Sequence, residues 1–257
     1  DLFLAEGSVH AQDRFYEMDF RPHLSAGRLS ELYGASQFET DAYVRTLGWH
    51  RVAEQELQLL APSTRRALDA YAAGVNAYIG GRPASELSLE YSLLGLQGLD
   101  YTPYAWTAAD SVAWLKVMAW NLGSNMDQEI ERAIVTSNVG TGRTANLFPT
   151  YPREGYEPIL RRGTVVDKQF DPTVRRVSAR PLPPALNGTG PAPRAALGEV
   201  NRINDELATV LGVRGLDGET GSNSWVLAGS RTASGHALLS NDPHLATQIP
   251  SVFAQVG

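Results

Sequence analysis

The chain has 257 residues, 43% hydrophobic and 19% charged, a composition that supports a sizeable core and excludes wholesale disorder. Its 22 basic residues stand against 28 acidic ones, and the net charge of −6 argues against a nucleic-acid partner. With no cysteine there are no disulfides, zinc–cysteine sites or thiol nucleophiles, and no apolar run approaches the ~18 residues of a membrane span, so no membrane partner is expected.

The chain opens in mid-pattern at Asp1-Leu2-Phe3-Leu4, with no initiator Met and no signal peptide, which suggests a processed or truncated product. From Asp1 to Leu32 apolar residues recur at helical spacing (Leu2, Val9, Phe15, Met18, Phe20, Leu24, Leu29), with Pro22 as the expected kink. Two further helices are predicted over 38–60 and 63–80. The second follows Pro62, is capped by Ser63 and closes at Gly80-Gly81. An apolar helix over 108–120 lies behind Thr107, and Asp110 three positions on forms a variant of the capping box. A shorter helix, Asn125 to Asn138, closes near Gly140. Together these predict an α-rich lobe.

The composition then shifts. Six of the 15 prolines lie between Pro172 and Pro193, and Arg161 to Arg180 carries six basic and two acidic residues, which reads as a solvated linker. Asn187-Gly188-Thr189 fits the N-glycosylation pattern, for which chance is the better explanation. An amphipathic stretch, Val200 to Leu211, precedes a glycine-rich one from Gly212 to Thr220. Past Gly221 the pattern is β-like. Ser224 to Ala228 and Ala237 to Ser240 flank a hairpin loop at Arg231 to His236, and Val252-Phe253-Ala254 is a further strand-like run. A hairpin this short is not stable alone, so more chain is expected after it.

The five histidines (His10, His23, His50, His236, His244) show no metal-motif spacing, and phosphate-loop, dinucleotide and Gly-x-Ser-x-Gly signatures are absent. His10, Gln12, Asp13 and Arg14 read as a buried polar cluster that fixes the first helix. What remains is Gly221-Ser222-Asn223-Ser224-Trp225, twenty residues before Asn241-Asp242-Pro243-His244. A hairpin loop centred on Thr232 to Gly235 places Ser222 opposite Leu245, with His244 at or next to the facing position. A Ser hydroxyl near a His is a candidate nucleophile, although on spacing alone a turn serine and a loop histidine are the commoner explanation.

The segment Gly221-Ser222-Asn223-Ser224-Trp225-Val226 through Asn241-Asp242-Pro243-His244-Leu245 resembles the start of the β chain in the penicillin acylase family of N-terminal nucleophile hydrolases. Val9-His10-Ala11-Gln12-Asp13-Arg14-Phe15-Tyr16-Glu17-Met18-Asp19 and Ala26-Gly27-Arg28-Leu29-Ser30-Glu31 resemble the opening of the family's α chain. Leu147-Phe148-Pro149 through Pro158-Ile159-Leu160 resembles its end. The likeness implies three parts: a helical α-chain region at 1–160, a Pro/Arg-rich spacer at 161–221 and a truncated β-chain start at 222–257. The implied fold is α+β, the α/β/β/α sandwich of that superfamily, represented here mostly by the helical part and the first hairpin.

The resemblance also implies a function. The precursor would cut itself between Gly221 and Ser222, with the Gly in a strained turn, and Ser222 would become the nucleophile of an amidohydrolase. That enzyme would remove the acyl side chain from a small-molecule amide such as a β-lactam or an N-acyl-homoserine lactone. His244 matches a position held by His in cephalosporin and acyl-homoserine lactone acylases and by Gln in penicillin G acylases. Leu122 and Gly123 fall where the family lines the acyl pocket, and penicillin G acylases carry Arg-Phe there. Trp106, Trp114 and Trp120 around them read as core rather than pocket. Glu129 matches a carboxylate that helps to hold a structural calcium, while no cofactor is implied for catalysis. The partners would be the α and β chains of one processed precursor, in the periplasm or secreted. Two alternatives stay open: a catalytically inactive member or helical interaction domain, and an ordinary Ser-His-Asp hydrolase using Ser222, His244 and Asp242.

Overall fold

Helical periodicity from Leu2 onward produces α1 (Leu2–Ala26) in the computed structural model, which describes residues 1–123, 125–149, 163–166, 169–171, 173, 191–210, 221–245, 249–251 and 253–254. The chain divides into two compact units, Asp1–Ser124 with Arg202–Gly257, and Asn125–Asn201.

In the first unit α1 is followed by α2 (Ser30–Tyr33), a 3-10 turn (Gly34–Gln37), α3 (Phe38–Leu47), α4 (Trp49–Leu57), α5 (Pro62–Ile79), α6 (Ala84–Leu87), α7 (Leu89–Leu96) and α8 (Ala108–Gly123). Pro22 lies within α1, but the departure from helical dihedrals is at Arg14 (φ −149, ψ 38) rather than at the proline. The predicted helix at 38–60 is two helices. Gly48 takes a left-handed conformation (φ 73), and its N–H closes α3 on the Val44 carbonyl at 2.9 Å. Ser63 does not cap α5: Ala61 precedes the helix with extended dihedrals and Pro62 is the first helical residue, where its missing N–H costs nothing. The box at α8 forms in part, because Asp110 Oδ2 accepts from both the N–H and the hydroxyl of Thr107, each at 2.7 Å.

The core builds around α1. Ala11, Phe15 and Met18 pack with Ala72, Val75 and Ile79 of α5, and with Tyr91 and Trp106. Glycines let the two helices approach at backbone distance: a Cβ on Gly7 would lie 2.1 Å from the Tyr71 carbonyl oxygen. Alanines do the same between α4 and α8, where Ala53 and Leu57 meet Ala108, Ala109, Val112 and Ala113. A third cluster joins Leu24, Leu29, Val44 and Val117, with Trp114 and Trp120 packed against it, and Trp106 is buried in the first cluster, so all three tryptophans serve the core.

The expected polar cluster on α1 forms only in part: His10 Nδ1 lies 3.0 Å from the Tyr71 hydroxyl and the Arg14 side chain is 9% exposed. Gln12 and Asp13 are exposed, and the buried polar pair is Asp19 and His23, one and two turns further on. Asp19 Oδ2 accepts from the hydroxyls of Tyr91 (2.6 Å) and Tyr101 (2.7 Å), and His23 Nδ1 meets the Asp19 carbonyl oxygen at 2.7 Å. Burial raises the Asp19 pKa, an effect that His23 and the two tyrosine bonds partly oppose. A raised carboxyl pKa stabilises the fold fully only below the unfolded value, and that contribution is lost as pH rises through the folded one. Asp19→Ala strands both hydroxyls and is expected to cost on the order of 3 kcal/mol. Asp19→Asn retains an acceptor and should lose less, without the decline in stability with rising pH. Urea denaturation at mildly acid and alkaline pH checks both.

The second unit carries α9 (Met126–Val139), closed at Gly140 (φ 80), then α10 (Thr141–Leu147) and a small antiparallel ladder of β1 (Thr164–Val166) with β2 (Gln169–Asp171). The start of α11 (Pro191–Val210) also belongs to it, tied by Arg194 Nη1 donating to Asn138 Oδ1 at 2.6 Å. The amphipathic stretch expected from Val200 thus begins at Pro191, with both prolines of this segment in the first turn, where the helix tolerates them. In its last part, which belongs to the first unit, Leu207 is 0% exposed against Leu24, Leu29 and Val117. Most of Arg161 to Arg180, Asn187-Gly188-Thr189 and Tyr151 to Leu160 lie outside the described residues.

The chain then forms the antiparallel pair β3 (Gly221–Leu227) and β4 (Leu238–His244). Of the third strand-like run Val252 lies outside the described residues, and Phe253 and Ala254 are not in a strand. Among the described residues the protein is mostly helical, with two two-stranded antiparallel ladders and no layered sandwich. Within the same residues no helix is long and apolar enough to cross a membrane.

Candidate functional site

The β-like runs over 221–227 and 238–244 pair as two antiparallel strands, and the turn between them sets their register. A 3-10 turn at Gly229–Arg231 shortens the path on the β3 side, so Leu227 pairs with Leu238. Ser222 therefore stands opposite Pro243, not Leu245, and His244 stands opposite Gly221, one pair from Ser222. Because side chains alternate along a strand, His244 shares its face with Asn223 and Asp242, while Ser222 and Pro243 project from the other. The expected reach of the His244 ring across to the Ser222 hydroxyl is thus replaced by proximity to Gly221.

On its own face His244 has a polar neighbour at each ring nitrogen. Asn223 Nδ2 lies 3.0 Å from Nε2, and Asp242 Oδ1 is 3.6 Å from Nδ1. With the amide as donor, Nε2 accepts from Asn223. Asn223 was not singled out from the sequence; the signal was its place two residues from Gly221, on the face opposite to Ser222. Asp242 lies 3.6 Å from His244, but the register turns both away from Ser222, so an ordinary Ser-His-Asp triad is not assembled. Gly221 and Ser222 are both strand residues, so the strained turn expected at this bond is absent.

The hairpin is open on both faces. Ser222 is exposed, as are Trp225 (51%), Val226 (66%) and Leu239 (73%). A two-stranded ladder gains little stability unless something packs on it.

Leu122 and Gly123 close α8, both exposed, and a Cβ on Gly123 would meet nothing within 4 Å. Just before them Trp120 Nε1 and Asn121 Oδ1 are buried with no hydrogen-bond partner among the described residues. Trp120 packs against Trp49, with ring centroids 6.1 Å apart. In the other unit Glu129 lies in the first turn of α9, its Oε1 3.5 Å from Asn125 Nδ2 and 3.8 Å from Arg132 Nη1. Calcium takes six to eight oxygens, and among the described residues no group of three or more His, Asp and Glu could hold a metal. Glu129 alone, beside an arginine, does not make such a shell.

The whole chain, residues 1–257, matches the family model described as penicillin amidase. It is 30% identical over 256 residues to the acyl-homoserine lactone acylase QuiP of Pseudomonas aeruginosa, an alignment covering 100% of this chain and 27% of that protein. It is 29% identical over 256 residues to penicillin acylase 2 proenzyme of a Pseudomonas species, covering 99% and 29%. Against penicillin G acylase of Escherichia coli the identity is 24% over 284 residues, covering 100% and 32%. Among solved structures, a thermostable penicillin G acylase from Alcaligenes faecalis matches with a TM-score of 0.48 at 23% identity, over 61% of this chain and 87% of that one. The chain therefore spans 27% to 32% of the length of these curated relatives.

Proposed function

We propose that this chain, which belongs to the penicillin amidase family, is part of a self-cleaving amidohydrolase with Ser222 as nucleophile. The observation that carries this reading is the family match over the whole chain, through the Gly221–Ser222 bond. Scission there leaves Ser222 with a free α-amine, whose pKa near 7.7–8.0 lets it take the hydroxyl proton. The Ser222 oxygen then attacks the substrate amide carbonyl. The C–N bond breaks, the amine leaves with the proton, and water hydrolyses the Ser222 ester to release the acid.

His244 stands across the ladder from Gly221, one pair from Ser222, and in this reading orients the new amine once the bond is cut. The names of the relatives support an N-acyl-homoserine lactone or a β-lactam as the acyl amide. Leu122 and Gly123, both exposed at the end of α8, would line the acyl site. Residues 161–221 would be the spacer, removed as the enzyme matures. The processed α and β chains would stay together in the N-terminal nucleophile sandwich, whose sheets come mostly from outside this chain, and would act in the periplasm or after secretion; fractionation of the source cells tests the compartment. Glu129 would give one oxygen to a structural calcium completed by ligands outside the described residues. A chelator should then lower the melting temperature of the full-length protein, and Glu129→Gln should abolish that sensitivity.

The full-length gene product, incubated with an N-acyl-homoserine lactone and with penicillin G, tests the activity. Release of the free acid supports the reading, as does the absence of 161–221 peptides from the active form. No release from either amide counts against it. A catalytically inactive member is the second reading, favoured by the projection of Ser222 and His244 from opposite faces. It predicts that Ser222→Ala changes nothing.

A further inference from the structure

Arg14 breaks a local rule. It is the residue inside α1 whose dihedrals leave the helical region (φ −149, ψ 38). Such an interruption weakens intrahelical hydrogen bonding, at roughly 1 kcal/mol per bond. Local violations of this kind persist where another contact compensates them, commonly at functional positions. Here the compensation is visible. The Arg14 side chain is only 9% exposed. Its Nε and Nη2 each meet Asp13 Oδ2 at 2.9 Å, Nη1 is 3.8 Å from Glu17 Oε2, and Nη1 also donates to the main-chain carbonyl of Ser251, 237 residues away.

Ser251 lies seven residues beyond His244, on the flank of the hairpin that carries Ser222. The hairpin is exposed on both faces, and the Arg14 bond is a charge-assisted tie from α1 to its downstream side. A planar fork can hold Asp13 and the carbonyl in fixed directions at once, which a single ammonium cannot. We propose that Arg14 is a positioning residue for the Ser222–His244 hairpin, acting through the Ser251 carbonyl. This rests on the nucleophile reading above. Small displacements of reacting groups cost rate rather than binding: about 1 Å of misplacement can cost about a hundred-fold.

The test uses the full-length gene product with Arg14→Ala and Arg14→Lys. Three quantities are read: the rate of scission at Gly221–Ser222, kcat and KM on an N-acyl-homoserine lactone, and hydrogen exchange over 249–254. In Arg14→Ala, scission and kcat should fall roughly ten-fold or more with KM changed less than about two-fold. Exchange at 249–254 should rise while the rest of α1 is unchanged. Arg14→Lys, which keeps the charge beside Asp13 and Glu17, should fall between the two. Wild-type rates with wild-type exchange in Arg14→Ala overturn the proposal. If that variant does not fold, the same result in Arg14→Lys does so. An uncut wild-type chain removes the nucleophile reading instead, and the exchange comparison then decides whether Arg14 holds Ser251.

Discussion

Ser222→Ala is expected to leave the full-length product uncut and without measurable amide hydrolysis. The substitution removes the hydroxyl that attacks the Gly221 carbonyl in the proposed scission, so the α-amine that would serve as base is never exposed. Nucleophile and base are lost together, so the loss of turnover is of the order of a million-fold rather than a graded one. Stability should hardly change. Ser222 is an exposed residue on a two-stranded ladder, and substitutions at such sites usually fall within about 0.5 kcal/mol. The combination is diagnostic: an unchanged melting temperature beside complete loss of scission identifies a chemical role, whereas scission that persists in the variant moves the nucleophile elsewhere. Gel analysis of the purified proteins, with thermal unfolding of each, reads both quantities.

Gly74→Ala should cause a large loss of stability. A Cβ at this position would lie 1.9 Å from the Leu4 carbonyl oxygen, 2.8 Å from the Leu4 carbonyl carbon and 3.0 Å from the Ser8 nitrogen. All three are main-chain atoms of α1, so no side chain can rotate away and the helices must separate. That separation loosens Ala11, Phe15 and Met18 from Val75 and Ile79, the centre of the first core cluster. Overpacking of this kind costs about 3 kcal/mol. Helix propensity acts in the opposite direction, since alanine is better than glycine by about 1 kcal/mol in a helix interior. Gly95 separates the two effects: it is helical, and its Cβ would meet nothing within 4 Å. Gly95→Ala should be neutral or slightly stabilising in urea unfolding where Gly74→Ala is strongly destabilising. Equal stability of the two variants would mean that α1 and α5 do not meet at these glycines.

Local chemistry was legible in the sequence wherever the cause lay within a few residues. Phe15, Met18 and Leu24 announced the buried stripe of α1, and Thr107 with Asp110 announced the start of α8. The glycine at 140 marked the end of α9. Causes that lie far along the chain were not legible. The break at Arg14 answers to Ser251, the close approach at Gly7 and Gly74 needs both helices in place, and the burial of Asp19 depends on Tyr91 and Tyr101. At Gly48 the apolar pattern runs on through Val44 and Trp49, so periodicity concealed a left-handed residue that splits the helix. Proline content concealed α11, because its two first-turn prolines sit where helices accept them.

The hairpin itself was visible from two short β-like runs flanking a turn-rich loop. Its register was not, because the 3-10 turn at Gly229–Arg231 moves the centre of the connection by one residue toward β3 and carries His244 to Gly221. The family was legible from several separated motifs in order, and the match over residues 1–257 agrees with them.

The most direct test of the central claim is the amino-terminal sequence and intact mass of the purified full-length gene product. The account predicts one new amino terminus at Ser222-Asn223-Ser224-Trp225, with a mass that closes the chain there. An intact Gly221–Ser222 bond in an enzyme that nevertheless hydrolyses its amide would contradict it.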